Sequence, residues 1–404
     1  MIYLFVLLSD VIAQQANLPN PLVLNDGTQI TSAEIWYNLR RPELLKLFET
    51  NIYGKTPGKA DSVESNIQSS KLIMDGKAKM NQVELKVFVN QKFIVLNLLE
   101  IIPANAKKPL ACFVGLNFDG NQTVLPDTSI RITDKWLIGY NTPEIVNNHA
   151  TEASRGSDVD KWCARLIVDH GYALITCNSA DIDEDRINYT DGAQAFFYKN
   201  SQNKPKTGEW ATIGAWAWGL SRILDYIETN PVFNSKKVIA FGHSRLGKTA
   251  LWSAAQDTRF AAVISNNSGC GGAAVFRNKK GEQIADINRV FPYWFNDKFK
   301  EFNNNENSLP VDQHELIALM APRPVYVASA SNDQWAGPEN EFLAINEAIP
   351  VYQLLEVRNI PQFKKPVENV PQIGILSYHL RKGKHDVTPW DWENYLKFAD
   401  LIFK

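Results

Sequence analysis

From residue 110 onward, short β-rich apolar runs alternate with helical periodicities, and this alternation narrows the fold more than any other feature. The runs are Leu110–Leu116, Ala173–Cys177, Val238–Gly242, Ala261–Ser265 and Pro324–Ala330. Helical patterns cover Ile213–Glu228, Leu246–Gln256, His314–Met320, Phe342–Ala348 and Pro389–Phe403. Strands alternating with helices predict an α/β fold, a mostly parallel central sheet with helices on both faces. Upstream, Val83–Val89 and Phe93–Ile102 flank Asn90-Gln91-Lys92 and read as an antiparallel hairpin that supplies the sheet's edge. Ser32–Phe48 reads as a helix. No repeat or low-complexity linker intervenes, so residues 14–404 read as one domain.

Composition removes several functions. The 42 Lys+Arg against 44 Asp+Glu leave a net charge of −2, which argues against a nucleic-acid partner. The four cysteines fall in no CxxC or Cys/His zinc spacing, so neither a metal, another cofactor nor a disulfide framework is expected. No run reaches the roughly 18 apolar residues of a membrane span. Ile2–Leu8 is a short apolar run followed by Val11-Ile12-Ala13, which reads as a signal peptide over residues 1–13 without its usual basic start. The expectation is a secreted or periplasmic monomer.

The strongest chemical signal is Phe241-Gly242-His243-Ser244-Arg245-Leu246-Gly247-Lys248, where a strand runs into a serine and a helix follows at once. A strand–Ser–helix turn is the nucleophile elbow of α/β-hydrolases, and the N–H of the next residue, Arg245, points where an oxyanion forms. Leu246 occupies the second glycine position of G-x-S-x-G, and a serine here can also be a plain helix N-cap.

An elbow serine needs a histidine late in the chain and an acid after a later strand. His314 reads as a residue of a helix's first turn, and His379 ends the strand-like Ile373–Tyr378 as a core or edge residue. His385 lies on the loop before the last helix, whose start is marked by Thr388, Pro389 and Asp391. Asp386 is too close in sequence to orient its neighbour's ring. The segment after Ala261–Ser265 offers Asn267 and no carboxylate, whereas the one after Pro324–Ala330 offers Asp333. Strand order therefore points to Asp333, which could otherwise be an Asx-turn residue.

Five segments together resemble the glucuronoyl esterases, carbohydrate esterase family fifteen. They are Gly208–Leu220, Gly242–Lys248, Ser268–Ala274, Ala321–Pro324, and Asp333-Gln334-Trp335 with Gly337-Pro338. The resemblance runs in order from about Leu110 to the C-terminus. It implies an α/β-hydrolase fold and hydrolysis of glucuronic acid esters, 4-O-methylated or not, as in glucuronoxylan or lignin–carbohydrate linkages. It further implies Ser244 as nucleophile, Arg245 as oxyanion stabiliser, His385 as base, and Lys248, Glu282 and Trp335 as contacts of the uronic-acid ring. Family members carry the acid at one or both strand ends; Asn267 departs from that pattern and leaves Asp333. The alternatives are another carbohydrate esterase, such as an acetyl xylan esterase, or an inactive binding protein of this fold.

Overall fold

The computed structural model describes residues 17–107, 109–139, 142–199 and 201–404, so the expected signal peptide lies outside the described residues. Nine strands form one sheet: β1 (Ser62–Ile73), β2 (Ala78–Val89), β3 (Lys92–Pro103), β4 (Leu110–Asn117), β5 (Ala173–Asn178), β6 (Phe233–His243), β7 (Ala262–Asn266), β8 (Val325–Ala330) and β9 (Leu376–Arg381). Their spatial order is β1-β2-β3-β5-β4-β6-β7-β8-β9. β1, β2 and β3 pair antiparallel with one another and β3 pairs antiparallel with β5; every later pairing is parallel. The expected hairpin is β2–β3, but it is not the edge. β1 is, and its sequence SVESNIQSSKLI lacks apolar alternation because nearly every side chain on both faces is exposed.

Successive residues of the central strands feed two cores. Val238 and Ala240 pack with α1 (Thr212–Thr229) and α2 (Arg245–Gln256), while Ile239 and Phe241 pack with α5 (Pro389–Phe403). Trp216 and Trp218, in the apolar run of α1, are core residues. On the opposite face the Phe241 ring lies 4.7 Å from Trp392 of α5. That helix begins where its signals place it: Thr388 and Asp391 form a capping box and Pro389 takes the first turn. α3 (Gln313–Ala318) and α4 (Pro338–Glu347) flank β8. Four strand ends thus lie side by side, those of β6, β7, β8 and β9. The four cysteines are unpaired.

Candidate active site

Ser244 links β6 to α2 with φ 55° and ψ −128°, a conformation that costs a non-glycine residue free energy and persists only where its surroundings impose it. The impositions are visible. Its N–H donates to Asn266 O at 2.9 Å, tying the turn to the end of β7. Its carbonyl accepts from Gly247 N (2.9 Å) and Lys248 N (3.2 Å), which starts the helix. A Cβ on Gly242 would collide with the Leu246 carbonyl, so this glycine is required by the turn. Gly247, one place beyond the usual motif, faces the Ser268 side chain closely.

His385 follows β9 and Asp333 follows β8, and they meet: His385 Nδ1 lies 2.6 Å from Asp333 Oδ2. The same oxygen accepts from Asn267 Nδ2 at 2.9 Å, and Ala336 N donates to Oδ1 at 3.3 Å. Burial alone would raise the Asp333 carboxyl, but the His385 contact, with Asn267 and Ala336, holds it below the usual carboxylate range. Asn267 has φ 46°, a left-handed backbone that asparagine tolerates. Asp386 turns to the start of the helix instead, accepting from Val387 N at 2.9 Å.

The loop that carries His385 is clasped from below. Arg381, the last residue of β9, donates from Nη2 to the carbonyls of Lys384 (2.8 Å) and Asp386 (3.0 Å), one on each side of His385. Its Nε sits 2.9 Å from Asp391 Oδ2, and Asp391 in turn accepts from Thr388 N at the head of α5. One guanidinium fork thereby fixes loop, strand and helix together.

His379, His314 and His243 are each held by partners of their own. His379 is not at a strand end but in the middle of β9, because the strand runs on to Arg381 rather than ending at Tyr378. It is fully buried between the Tyr326 hydroxyl (2.9 Å) and Asp391 (2.9 Å). His314 lies in the first turn of α3 and its Nε2 donates to Pro19 O. His243 was not singled out in the sequence, yet its ring stands 4.6 Å from that of His385. Asn266 Nδ2 is engaged with Tyr395, so its Oδ1 receives the His243 Nδ1 proton. Burial, reinforced by His385, depresses His243 to about 3 and keeps this ring neutral.

Arg245 opens α2 with its guanidinium 4.4 Å above the Phe118 ring and its Nε 2.6 Å from Asp185 Oδ2. Lys248 is only 4% exposed and donates to Ser268 O at 2.5 Å. Glu282 N and Lys279 Nζ both donate to Trp335 O, at 3.0 and 2.9 Å, and the Trp335 side chain is 54% exposed. Glu282 and Trp335 are thus joined through their backbones, while Lys248 lies on α2 against the Ser268 carbonyl. The glycine-rich segment 268–274 is held by Glu341, which accepts from Gly269 N (2.9 Å) and Ser329 Oγ (2.6 Å). Burial pushes that carboxyl up to about 7. A serine on a strained turn can become a nucleophile when a histidine held by a carboxylate takes its proton, and an arginine at the next position can supply donors for an oxyanion.

A family model described as "Glucuronyl esterase, fungi" matches residues 158–356. Carbohydrate esterase MZ0003, from an unknown prokaryotic organism, is 44% identical over 95% of this chain and 89% of its own length. The 4-O-methyl-glucuronoyl methylesterase 1 of Phanerochaete chrysosporium is 27% identical over 85% of this chain, which spans 63% of that relative. Among solved structures, the glucuronoyl esterase of Solibacter usitatus superposes with a TM-score of 0.89 at 38% identity, covering 96% of this chain and 98% of its own. A promiscuous esterase of carbohydrate esterase family 15, from a marine bacterial metagenome, superposes at 0.88 with 43% identity over 96% and 97% of the two chains. Sequence identity and superposition agree, and the chain belongs to the glucuronoyl esterases of carbohydrate esterase family 15, carboxylic ester hydrolases on the α/β-hydrolase fold.

Proposed function

We propose that this chain hydrolyses esters of glucuronic acid, including 4-O-methyl-glucuronate, by an acyl-enzyme route through Ser244, His385 and Asp333. The observation that carries the reading is the 2.6 Å contact of His385 with Asp333, with the His385 ring 4.6 Å from that of His243, the residue before the strained Ser244. The names of the relatives support the substrate class. His385 Nε2 takes the proton of Ser244 Oγ as that oxygen attacks the ester carbon, and the carbonyl electrons move onto oxygen. The oxyanion lies among the donors of Arg245, whose charge makes such bonds roughly twice as strong as neutral ones. Collapse breaks the bond to the alcohol, which leaves with the proton from His385. Water then repeats the sequence on the acyl-enzyme and releases the acid and Ser244.

Lys248 and Trp335, with Glu282, recognise the sugar ring. Lys248 still has ammonium hydrogens beyond the one given to Ser268. Lys248→Ala should raise KM for glucuronate esters at least about tenfold while changing turnover of small activated acetates far less. Equal losses on both would mean that Lys248 serves only the 268–274 segment. Arg381 acts through the His385 loop. Arg381→Lys keeps the charge but not the fork, so kcat should fall by roughly 10–100-fold with KM nearly unchanged. A KM effect alone would remove Arg381 from this role.

The fold-family relative named as promiscuous favours a second reading, with acetyl esters also accepted. Rates on benzyl glucuronate, methyl galacturonate and acetylated xylan separate the two. Export, proposed from the apolar Ile2–Leu8 run, is tested by locating the mature N-terminus of the expressed protein.

A further inference from the structure

One buried carboxylate near Ser244 takes no part in the proton transfers above. Asp185, in the segment after β5, is 7% exposed. Its Oδ1 accepts from Trp294 Nε1 (2.7 Å) and from the Tyr293 hydroxyl (2.9 Å), which is also 2.8 Å from the Asp185 carbonyl. Its Oδ2 faces Arg245 Nε at 2.6 Å, a bent charge contact rather than a linear hydrogen bond. Trp294 is itself fixed, stacked on Phe291 with ring centroids 3.7 Å apart. Arg245 is thus gripped by one charged edge and two ring faces, those of Phe118 and Trp294. Its terminal Nη groups make no protein hydrogen bond among the described residues. Asp119 also acts electrostatically on Arg245, but Asp185 is the carboxylate in contact with it.

The reaction makes two demands on such an arginine. Its donors must be aimed before the oxyanion forms, because reorganising during the step costs rate. It must also let go. The ester is neutral and the oxyanion transient, but the product acid is a permanent anion at neutral pH, and an uncompensated arginine would retain it. We propose that Asp185 is a positioning residue and built-in counter-ion: it aims the Arg245 guanidinium and lowers the pocket's positive charge so that the carboxylate product leaves. This rests on the reading that Arg245 faces the substrate carboxyl.

The test is Asp185→Asn, nearly isosteric and still able to accept from Tyr293 and Trp294. On benzyl glucuronate its kcat should fall about tenfold or more. Its affinity for glucuronate, measured as a competitive inhibition constant, should rise on the order of tenfold, since a charge a few ångströms away is only partly screened in such a site. A merely structural defect would weaken product binding instead. In an Arg245→Gln background, read by calorimetry, the gain in glucuronate affinity should vanish. Tyr293→Phe keeps the charge but loosens its aim, so kcat should drop severalfold with product affinity within about twofold of the wild type. A folded Asp185→Asn enzyme that binds glucuronate no more tightly than the wild type overturns the proposal. So does a gain that survives in Arg245→Gln, or, should Asp185→Asn not fold, a Tyr293→Phe enzyme with wild-type kcat. If the wild type cleaves acetyl esters and no glucuronate ester, the proposed substrate fails by itself. Acetate, equally an anion, then serves as the product probe for the same variants.

Discussion

Ser244→Ala is expected to reduce kcat on methyl glucuronate by on the order of 10⁴–10⁶, with substrate affinity and melting temperature close to wild type. The magnitude follows from removing the atom that forms the covalent bond; what remains is rate enhancement from oxyanion donors and binding alone. The geometry argues against a large folding penalty. The Ser244 backbone, not its side chain, makes the contacts to Asn266, Gly247 and Lys248 that hold the elbow. Alanine in this φ-positive position is no more strained than serine, since both carry a Cβ. Steady-state rates on purified protein, with product release followed over hours, decide the point. Residual turnover within about tenfold of wild type would mean that another group attacks the ester.

The second large effect concerns Asp333. Asp333→Asn is expected to lower kcat by on the order of 10²–10⁴ with a smaller change in KM. A carboxylate fixes the imidazole tautomer by accepting from Nδ1 and stabilises the imidazolium formed after proton transfer. An amide turned the wrong way presents N–H to N–H. Asp333 is ionised well below neutrality, so loss of rate between pH 7 and 5 does not come from its protonation. Its lowered pKa carries the corresponding stability term: present above the unfolded carboxylate value of about 3.9, it is lost as pH falls through the still lower folded value. Asn267→Ala should be mild, because it removes one donor to Asp333 and no charge. The Asn267 amide already reaches the oxygen that His385 contacts. A carboxylate one carbon longer can therefore approach His385, and Asn267→Glu combined with Asp333→Asn should recover part of the rate. Near-wild-type kcat in Asp333→Asn would refute this assignment of the acid.

Local signals carried most of the architecture. The central strands are apolar on both faces because helices cover both, and α5 announces its start through Thr388, Pro389 and Asp391. β1 escaped because a strand bare on both faces has no apolar pattern to show. The extent of β9 was misjudged because it runs on through His379 and Arg381, polar residues made tolerable in the interior by Asp391. The strand–Ser–helix turn pointed to Ser244, the loop before the capped last helix to His385, and strand order to Asp333. What holds them could not be read locally. Asp185 is one of three acidic residues in Ile182–Arg186, and only partners about 60 and 110 positions away distinguish it. Arg381 is likewise an ordinary strand-end arginine until the loop folds back over it.

The neighbouring strand ends of the site belong to segments far apart in the sequence, and β9 is the last of the nine strands to be made. Within the sheet β9 pairs with β8, and the loop bearing His385 is held by Arg381 and the head of α5. On the proposed mechanism, a nascent chain that has built only its first eight strands therefore contains the serine and the carboxylate but lacks the base. Docking of β9, its loop and α5 would then be the step that arms the serine, so an incompletely assembled molecule would carry no activated nucleophile.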